Sequence, residues 1–236
     1  MSQSQVPVEQ PITVLLADDH PLLREALRSV LERQHDIRVV GEAANGEIAV
    51  RMALELHPRV AIVDISMPGL SGFEAAQAMR TCCPETAILV LSVHDDSEHI
   101  RRMLEIGVAG YLTKDALGDQ VVQAVRAVVS GGVALSPTVL NRVVRGGATG
   151  AEVSPTGESP LTERELGILK LTARGLTNTQ IAAECGLSPR TVRGYLETIF
   201  AKLHVTNRTE SVAEALRLGL ISVNDLRRGK PDTPTD

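Results

Sequence analysis

The strongest constraint on the fold is a regular alternation between short apolar runs rich in β-branched residues and longer segments of helical periodicity. The apolar runs predict strands at Ile12–Ala17, Arg38–Val40, Val60–Ile65, Ala87–Val93 and Gly110–Thr113. Apolar residues three and four positions apart predict helices at Leu22–Arg33, Glu47–Leu56, Phe73–Thr81, Glu98–Ile106 and Asp119–Ser130. Such alternation is typical of a parallel sheet covered by helices on both faces, with right-handed crossovers. The pattern therefore predicts an α/β domain with five parallel strands.

The length and composition predict two globular domains. The chain has 236 residues, of which 43% are hydrophobic, so it can fill two cores and is not disordered throughout. No apolar run approaches the ~20 residues needed to cross a bilayer, and residues 1–10 lack a signal-peptide pattern, so we expect a cytoplasmic protein. Two of the three cysteines, Cys82 and Cys83, are adjacent, and no CxxC motif occurs, so we expect reduced thiols.

The net charge of −5 is unevenly distributed. Residues 1–135 carry 11 Lys and Arg against 18 Asp and Glu, whereas residues 161–236 carry 11 against 9. A small positive excess near the C-terminus is weak support for nucleic-acid binding, because binding depends on where the cations cluster. Charge alone therefore does not identify a function.

Polar side chains follow the predicted strands at their carboxyl ends, where ligands bind in open α/β sheets. Asp18 and Asp19 follow the first strand, Asp64 lies at the end of the third, Ser92 ends the fourth and Lys114 follows the fifth. Three neighbouring carboxylates repel one another unless a cation is present, and Mg²⁺ suits a site made of oxygen ligands. A lysine and a hydroxyl can bind phosphate oxygens. The pattern predicts phosphoryl transfer to a carboxylate.

The motifs "LLADDHPLLREAL", "VDISMPGLSG", "LSVHDD" and "GYLTKD" resemble the receiver domain of NarL/FixJ-family response regulators over residues 12–130. The resemblance implies a flavodoxin-like fold in which Asp64 is the phosphoacceptor. It also implies a Mg²⁺ site with Asp19 as a direct ligand, Asp18 acting through water, Asp64, and the backbone carbonyl of Ser66. The switch and phosphate-binding residues would be Ser92, Tyr111 and Lys114.

Each of these residues also has a structural interpretation. The acidic pair could belong to an ordinary acidic turn, Ser92 could bond backbone at a strand end, and Tyr111 could be a half-buried strand residue. His20 and His94 could tune hydrolysis of a phosphoaspartate or lie in solvated loops.

Glycines and prolines between Ser136 and Pro160 predict a mobile connector between two domains. We expect an N-terminal tail at residues 1–11, a receiver domain at 12–133, a flexible linker at 134–160, a helical domain at 161–223 and a C-terminal tail at 224–236.

The second domain is predicted to contain four helices and a helix-turn-helix. Thr162 with Glu165, and Thr177 with Gln180, form capping boxes. The segments Thr177–Cys185 and Pro189–Leu203 then form a helix-turn-helix. In the second of these helices one stripe faces the core, namely Val192, Leu196, Ile199 and Leu203. The opposite, polar face is free to enter a major groove.

The segment from Leu161 to Ile221, which includes "LTNTQIAAECGLSPRTVRGYLETIFAKL", resembles the LuxR-type helix-turn-helix of the same regulators. The resemblance implies that Ser211–Leu220 forms a dimerising helix and that Arg193 contacts a base or a phosphate. The complete set of candidate DNA-binding residues is Thr177, Arg190, Thr191, Arg193, Glu197 and Lys202.

Two positions depart from that family's usual pattern. Gly194 has no side chain where one usually faces the groove, and Glu197 stands where a basic or small polar residue is common. Glu197 lies four residues after Arg193, so it could form an intrahelical ion pair with it. Alternatively, Glu197 could accept a hydrogen bond from a cytosine amino group.

We therefore expect a two-component transcription factor in which a sensor histidine kinase phosphorylates Asp64 and thereby controls dimerisation and binding to double-stranded DNA. The alternative is a phosphorylation-controlled regulator whose helical domain binds a protein and has lost DNA readout. A dedicated enzyme is not expected, because the sequence contains no catalytic pair of a nucleophile and a general base. The receiver's own phosphotransfer and slow autodephosphorylation are the only chemistry expected.

Overall fold

A computed structural model of the chain describes residues 10–93, 96–116, 118–146 and 161–226. The described chain divides into two compact units, with the division between Thr86 and Ala87. Among these residues, no helix has both the length and the apolar character needed to cross a membrane.

The first unit contains three strands and three helices that alternate along the chain. Its elements are β1 (Ile12–Ala17), α1 (Pro21–Glu32), β2 (Ile37–Ala43), α2 (Gly46–Leu56), β3 (Val60–Val63) and α3 (Gly72–Cys82). Strand β1 lies between β2 and β3 and pairs with both in parallel. As predicted, the side chain of Asn45 caps α2 by accepting a hydrogen bond from the backbone N–H of Ile48 at 2.9 Å.

The second unit continues the same alternation before it becomes helical. It begins with β4 (Ala87–Ser92), α4 (Ser97–Ile106), β5 (Gly110–Thr113), α5 (Gly118–Val129), β6 (Ala134–Leu135) and α6 (Pro137–Gly146). Strand β5 pairs in parallel with both β4 and β6. The strand order is β2-β1-β3-β4-β5-β6. The predicted parallel, flavodoxin-like fold is confirmed, with six strands in place of the predicted five.

The additional strand and helix lie in the segment predicted to be a flexible linker beginning at residue 134. Helix α6 packs against α4 and carries Val139 and Leu140 buried. Leu140 belongs to the core of the helical domain, with Val143 packed against it. The apolar spacing of these three residues was the available signal for a helix. Residues 147–160 of the predicted linker lie outside the described residues, as do residues 1–9 and 227–236.

The helical domain consists of α7 (Glu163–Ala173), α8 (Asn178–Cys185), α9 (Pro189–Leu203) and α10 (Arg208–Arg217), followed by a short 3₁₀ helix. Both predicted capping boxes are present, at Thr162 and Thr177. Ser188 caps α9, and Gly186 ends α8 in the left-handed conformation with φ of 65°. The predicted four-helix arrangement is confirmed.

Candidate functional site

Three carboxylates meet where β1 and β3 end. These strands pair in parallel up to Ala17 and Val63, and the backbone N–H of Asp64 donates to the Ala17 carbonyl at 2.8 Å. Asp18, Asp19, His20 and Asp64 each offer a ligand atom, and these atoms all lie within 4.8 Å of one another. The structure thus brings together the three predicted carboxylates.

Burial and local hydrogen bonds fix the cluster. Asp18 and Asp64 are only 3% and 2% exposed. Asp18 accepts from the backbone N–H of His20 at 2.8 Å, and the guanidinium of Arg24 donates to the Asp18 carbonyl at 2.6 Å. The His20 ring nitrogen Nδ1 lies 2.7 Å from Asp19 Oδ1. His20 therefore belongs to the cluster, whereas His94 lies outside the described residues.

The start of α3 approaches the backbone of Asp64 so closely that only glycine fits there. A Cβ on Gly72 would lie 1.8 Å from the carbonyl oxygen of Asp64, well inside the shortest contact that real side chains make. Gly72 also donates its N–H to the Ile65 carbonyl at 3.0 Å. Close helix-to-strand packing therefore sets the backbone position of Asp64.

The donor set fits a hard divalent cation. Two nearly buried carboxylates and a third beside them concentrate negative charge that a cation would neutralise. Carboxylate oxygens are the ligands that Mg²⁺ prefers in proteins. Ser66, whose carbonyl is the remaining candidate ligand, is exposed two residues after Asp64.

The predicted switch residues lie on β4 and β5. Ser92 ends β4, is fully buried and pairs with Thr113, and the backbone N–H of Lys114 donates to the Ser92 carbonyl at 2.8 Å. Ser92 and Lys114 thus leave neighbouring strands at the same edge. Tyr111 is fully buried in β5, deeper than the half-buried alternative implied.

The helix-turn-helix has the predicted division of faces. The four residues of the α9 core stripe are buried. The opposite face carries the exposed residues Arg190, Thr191, Arg193, Gly194 and Glu197. A Cβ on Gly194 would meet open space, so packing does not explain the missing side chain.

Two cations of the helical domain, Arg193 and Lys202, have surroundings that differ from those predicted. Within residues 161–226, no ion pair joins Arg193 to Glu197, so the predicted intrahelical pair is not formed. Lys202 donates instead to Glu165 Oε2 at 2.7 Å. This bond holds the pKa of the buried Glu165 carboxyl below its usual value. Lys202, predicted to bind phosphate, thus has an internal partner.

Helix α10 contributes most of its apolar side chains to its own domain. Val212, Ala215 and Leu216 are buried in the core, whereas Leu218 and Leu220, which follow the end of α10 at Arg217, are partly exposed. Arg208 at the start of α10 was not predicted as a functional residue, and its guanidinium donates to Asn178 Oδ1 at 2.9 Å. No local pattern marks this arginine, because its burial depends on α8.

Two families match the chain. The response regulator receiver domain matches residues 14–126, and the luxR family of bacterial regulatory proteins matches residues 159–215.

Individual relatives agree with both families along nearly the whole chain. The transcriptional regulatory protein YdfI of Bacillus subtilis (strain 168) is 34% identical over 218 residues, covering 90% of this chain and 99% of the relative. The response regulator UvrY of Escherichia coli (strain K12) is 35% identical over 219 residues, covering 91% and 98%. The crystal structure of the response regulator ChrA of a heme-sensing two-component system is 34% identical with a TM-score of 0.50, covering 90% and 100%. The chain therefore belongs to the response regulators that combine a receiver domain with a LuxR-type DNA-binding domain and act as transcriptional regulatory proteins rather than as enzymes.

Proposed function

We propose that Asp64 accepts a phosphoryl group from a phosphohistidine of a sensor kinase, and that this modification controls dimerisation and DNA binding. The observation that carries the proposal is the acidic cluster, in which the ligand atoms of Asp18, Asp19 and Asp64 lie within 4.8 Å of one another. Such a cluster is costly for stability and suits a site that must bind a cation and a phosphoryl group.

Mg²⁺ would be held by Asp18, Asp19, Asp64 and the Ser66 carbonyl, and would neutralise the carboxylates and the incoming phosphoryl oxygens. A carboxylate oxygen of Asp64 attacks phosphorus, a P–O bond forms, the P–N bond to the kinase imidazole breaks, and the imidazole leaves. We propose that the Lys114 ammonium forms an ion pair with the phosphoryl group and that the Ser92 hydroxyl donates a hydrogen bond to it. Tyr111 would change rotamer when Ser92 moves.

Contacts between the receiver and the helical domain support a route from phosphorylation to DNA binding. The side-chain amide of Asn207, which caps α10, donates to the Leu104 carbonyl in α4 at 3.1 Å. The backbones of Gly132 and Gly175 lie so close that a Cβ on Gly132 would be 2.4 Å from the Gly175 carbonyl oxygen. We propose that rearrangement along β4 and β5 loosens these contacts and releases the helical domain.

On DNA, we propose that the exposed face of α9 enters the major groove and that Thr177 at the start of α8 contacts the backbone. The exposure of Arg190, Thr191 and Arg193 supports this assignment, as does the absence of an Arg193–Glu197 ion pair within residues 161–226. Glu197 shares this face and would influence selectivity.

The phosphoacceptor is tested by incubating the protein with acetyl phosphate and Mg²⁺ and measuring its intact mass. We expect one added phosphoryl group on the wild type. The control variant Asp119→Asn, which changes an exposed aspartate at the start of α5, should also gain one. We expect none on Asp64→Asn. Equal labelling of Asp64→Asn and wild type would refute the assignment.

A further inference from the structure

Among the residues that the structure describes, Arg208 of the helical domain is a half-buried arginine whose guanidinium has no carboxylate partner. Its guanidinium donates to Asn178 Oδ1 at 2.9 Å and to the carbonyl oxygen of Leu176, and both acceptors are uncharged. Its Nε atom is buried without a hydrogen-bond partner. No ion pair involves Arg208 within the ranges that the structure describes, whereas Arg217 on the same helix is paired with Glu214.

This arrangement is unusual because a buried guanidinium is normally paired with an anion. Burial lowers the pKa of Arg208 to about 10, so the group remains charged near neutral pH. Desolvation is the cause of that lowering, and no carboxylate opposes it. Hydrogen bonds therefore fix the position of the Arg208 guanidinium, but no carboxylate among the described residues neutralises its charge.

Arg208 lines a pocket of about 460 Å³ together with Arg193 of the recognition helix α9. Thr177, Asn178 and Thr179 at the start of α8 form another wall. Glu197 is the single carboxylate among the described lining residues, against the two arginines Arg193 and Arg208. The pocket thus has an excess of positive charge beside the helix that faces DNA.

The turn after α5 closes one side of the same pocket, with Ser130 and Gly131 among its lining residues. Arg208, Arg193 and this turn therefore lie around one space. The turn therefore occupies one side of the space that a DNA backbone would approach.

We infer that Arg208 and Arg193 together bind a backbone phosphate of duplex DNA, and that the Ser130–Gly131 turn excludes this phosphate until the domains separate. This inference rests on the proposed DNA binding and adds Arg208 to it. The phosphate supplies the counter-charge that the protein does not provide. A duplex is favoured over a free anion because Arg193 belongs to the exposed face of α9. When this face enters the groove of a duplex, it lies next to the phosphates on both sides of the groove.

The test compares two arginines of α10 in the full-length, phosphorylated protein. Both Arg208→Gln and Arg217→Gln remove one positive charge, but only Arg208 lines the phosphate pocket. Duplex affinity is measured by fluorescence anisotropy across a series of salt concentrations. Neutralising one phosphate contact should lower the slope of log K against log salt by about 0.9, and we expect this for Arg208→Gln and not for Arg217→Gln. Affinity at fixed salt should fall roughly tenfold for Arg208→Gln.

A second pair of variants keeps Arg208 and its supporting bonds in place. Thr179 is exposed in the first turn of α8, where an acidic side chain favours the helix. Thr179→Glu should therefore fold normally, occupy the pocket with a carboxylate and lower the salt slope, whereas Thr179→Gln should behave as wild type. This pair decides the question if Arg208→Gln unfolds.

The outcomes separate this inference from the function on which it rests. If the phosphorylated wild type binds no duplex, the proposed DNA binding fails, and the phosphate site fails with it. If the wild type binds duplex but the Arg208→Gln and Thr179→Glu slopes match wild type, only the phosphate site is refuted. Titration with inorganic phosphate in the absence of DNA distinguishes a free-anion site: saturable binding that Arg208→Gln abolishes, with an unchanged DNA slope, would overturn the assignment to duplex.

Discussion

Replacing Lys202 by methionine tests whether this lysine stabilises the domain or contacts DNA. Glu165 is 5% exposed and its Oε2 atom accepts three hydrogen bonds, from the Thr162 backbone N–H at 2.7 Å, the Thr162 hydroxyl at 2.9 Å and Lys202 Nζ at 2.7 Å. Methionine keeps most of the length of the lysine side chain but cannot donate. The variant would leave a buried carboxylate with its two neutral donors only.

The expected loss of stability follows from this geometry. A hydrogen bond to a charged group contributes about 1.5–3 kcal/mol. The Lys202 side chain is 36% exposed, so water screens part of the interaction, and we expect a loss of about 1–1.5 kcal/mol. Lys170→Met is the matched control, because Lys170 lies 3.5 Å from the more exposed Asp225 carboxylate and should cost less than about 0.5 kcal/mol.

The effect should also depend on pH. Lys202 lowers the folded-state pKa of Glu165 from its ordinary value of 4.5. A carboxyl whose folded pKa is lowered contributes stability that is present above its unfolded pKa and is lost as pH falls through the folded pKa. The stability difference between wild type and Lys202→Met should thus be largest near neutral pH and should disappear in acid.

Hydrogen exchange of peptides from α7 and α9 measures these opening free energies in the full-length protein. DNA binding by the same variant supplies the second measurement, because an internal lysine leaves the salt slope unchanged, whereas a lost phosphate contact lowers it by about one. A lowered slope with unchanged exchange protection would refute the structural role and would restore Lys202 as a DNA contact.

Three further predictions follow from the domain contacts and the recognition helix. Gly132→Ala, whose Cβ would meet the Gly175 carbonyl, should raise the DNA affinity of the unphosphorylated protein about fivefold or more. Gly167→Ala, whose Cβ meets nothing within 4 Å, should leave this affinity unchanged. Anisotropy measures both variants, and equal affinities would count against the Gly132–Gly175 contact as a restraint. Glu197→Ala should strengthen binding to unrelated duplexes because it removes an exposed negative charge. If the variant instead loses about 1–3 kcal/mol of selectivity between matched and mismatched duplexes at one base pair, Glu197 contacts that base. A phosphoryl mimic should promote dimerisation in analytical ultracentrifugation, and an unchanged mass while DNA affinity rises would argue against dimer-dependent binding.

Much of the fold could be predicted because its signals are local. Apolar periodicity identified five strands and the helices between them, and capping motifs at Asn45, Thr162, Thr177 and Ser188 marked helix starts that the structure confirms. The short strand β6 and helix α6 were not predicted, because the glycines and prolines nearby favour a connector. Their stability comes from pairing with β5 and from burial of Leu140 in another core, neither of which a local window contains.

The acidic cluster could be predicted for a related reason. Parallel strands carry the residues that follow them to the same edge of the sheet, so topology alone brings Asp18 and Asp19 next to Asp64. The packing of Gly72 against the Asp64 backbone was not predicted, because the sequence around a glycine gives no indication of which backbone approaches it.

The cations of the helical domain could not be ranked from sequence, because the availability of a cation depends on partners that are distant along the chain. Lys202 bonds to a carboxylate 37 residues away, and Arg208 to an amide 30 residues away. In the sequence, Lys202 and Arg208 are both positive charges near the recognition helix. Glu165 neutralises Lys202, whereas the hydrogen-bond partners of Arg208 among the described residues are uncharged. In the proposed complex, a DNA phosphate would have to compete with Glu165 for Lys202, whereas it would supply the counter-charge that Arg208 lacks. The tertiary pairing of each cation, rather than its position on a helix face, therefore determines which of them can contribute to DNA affinity.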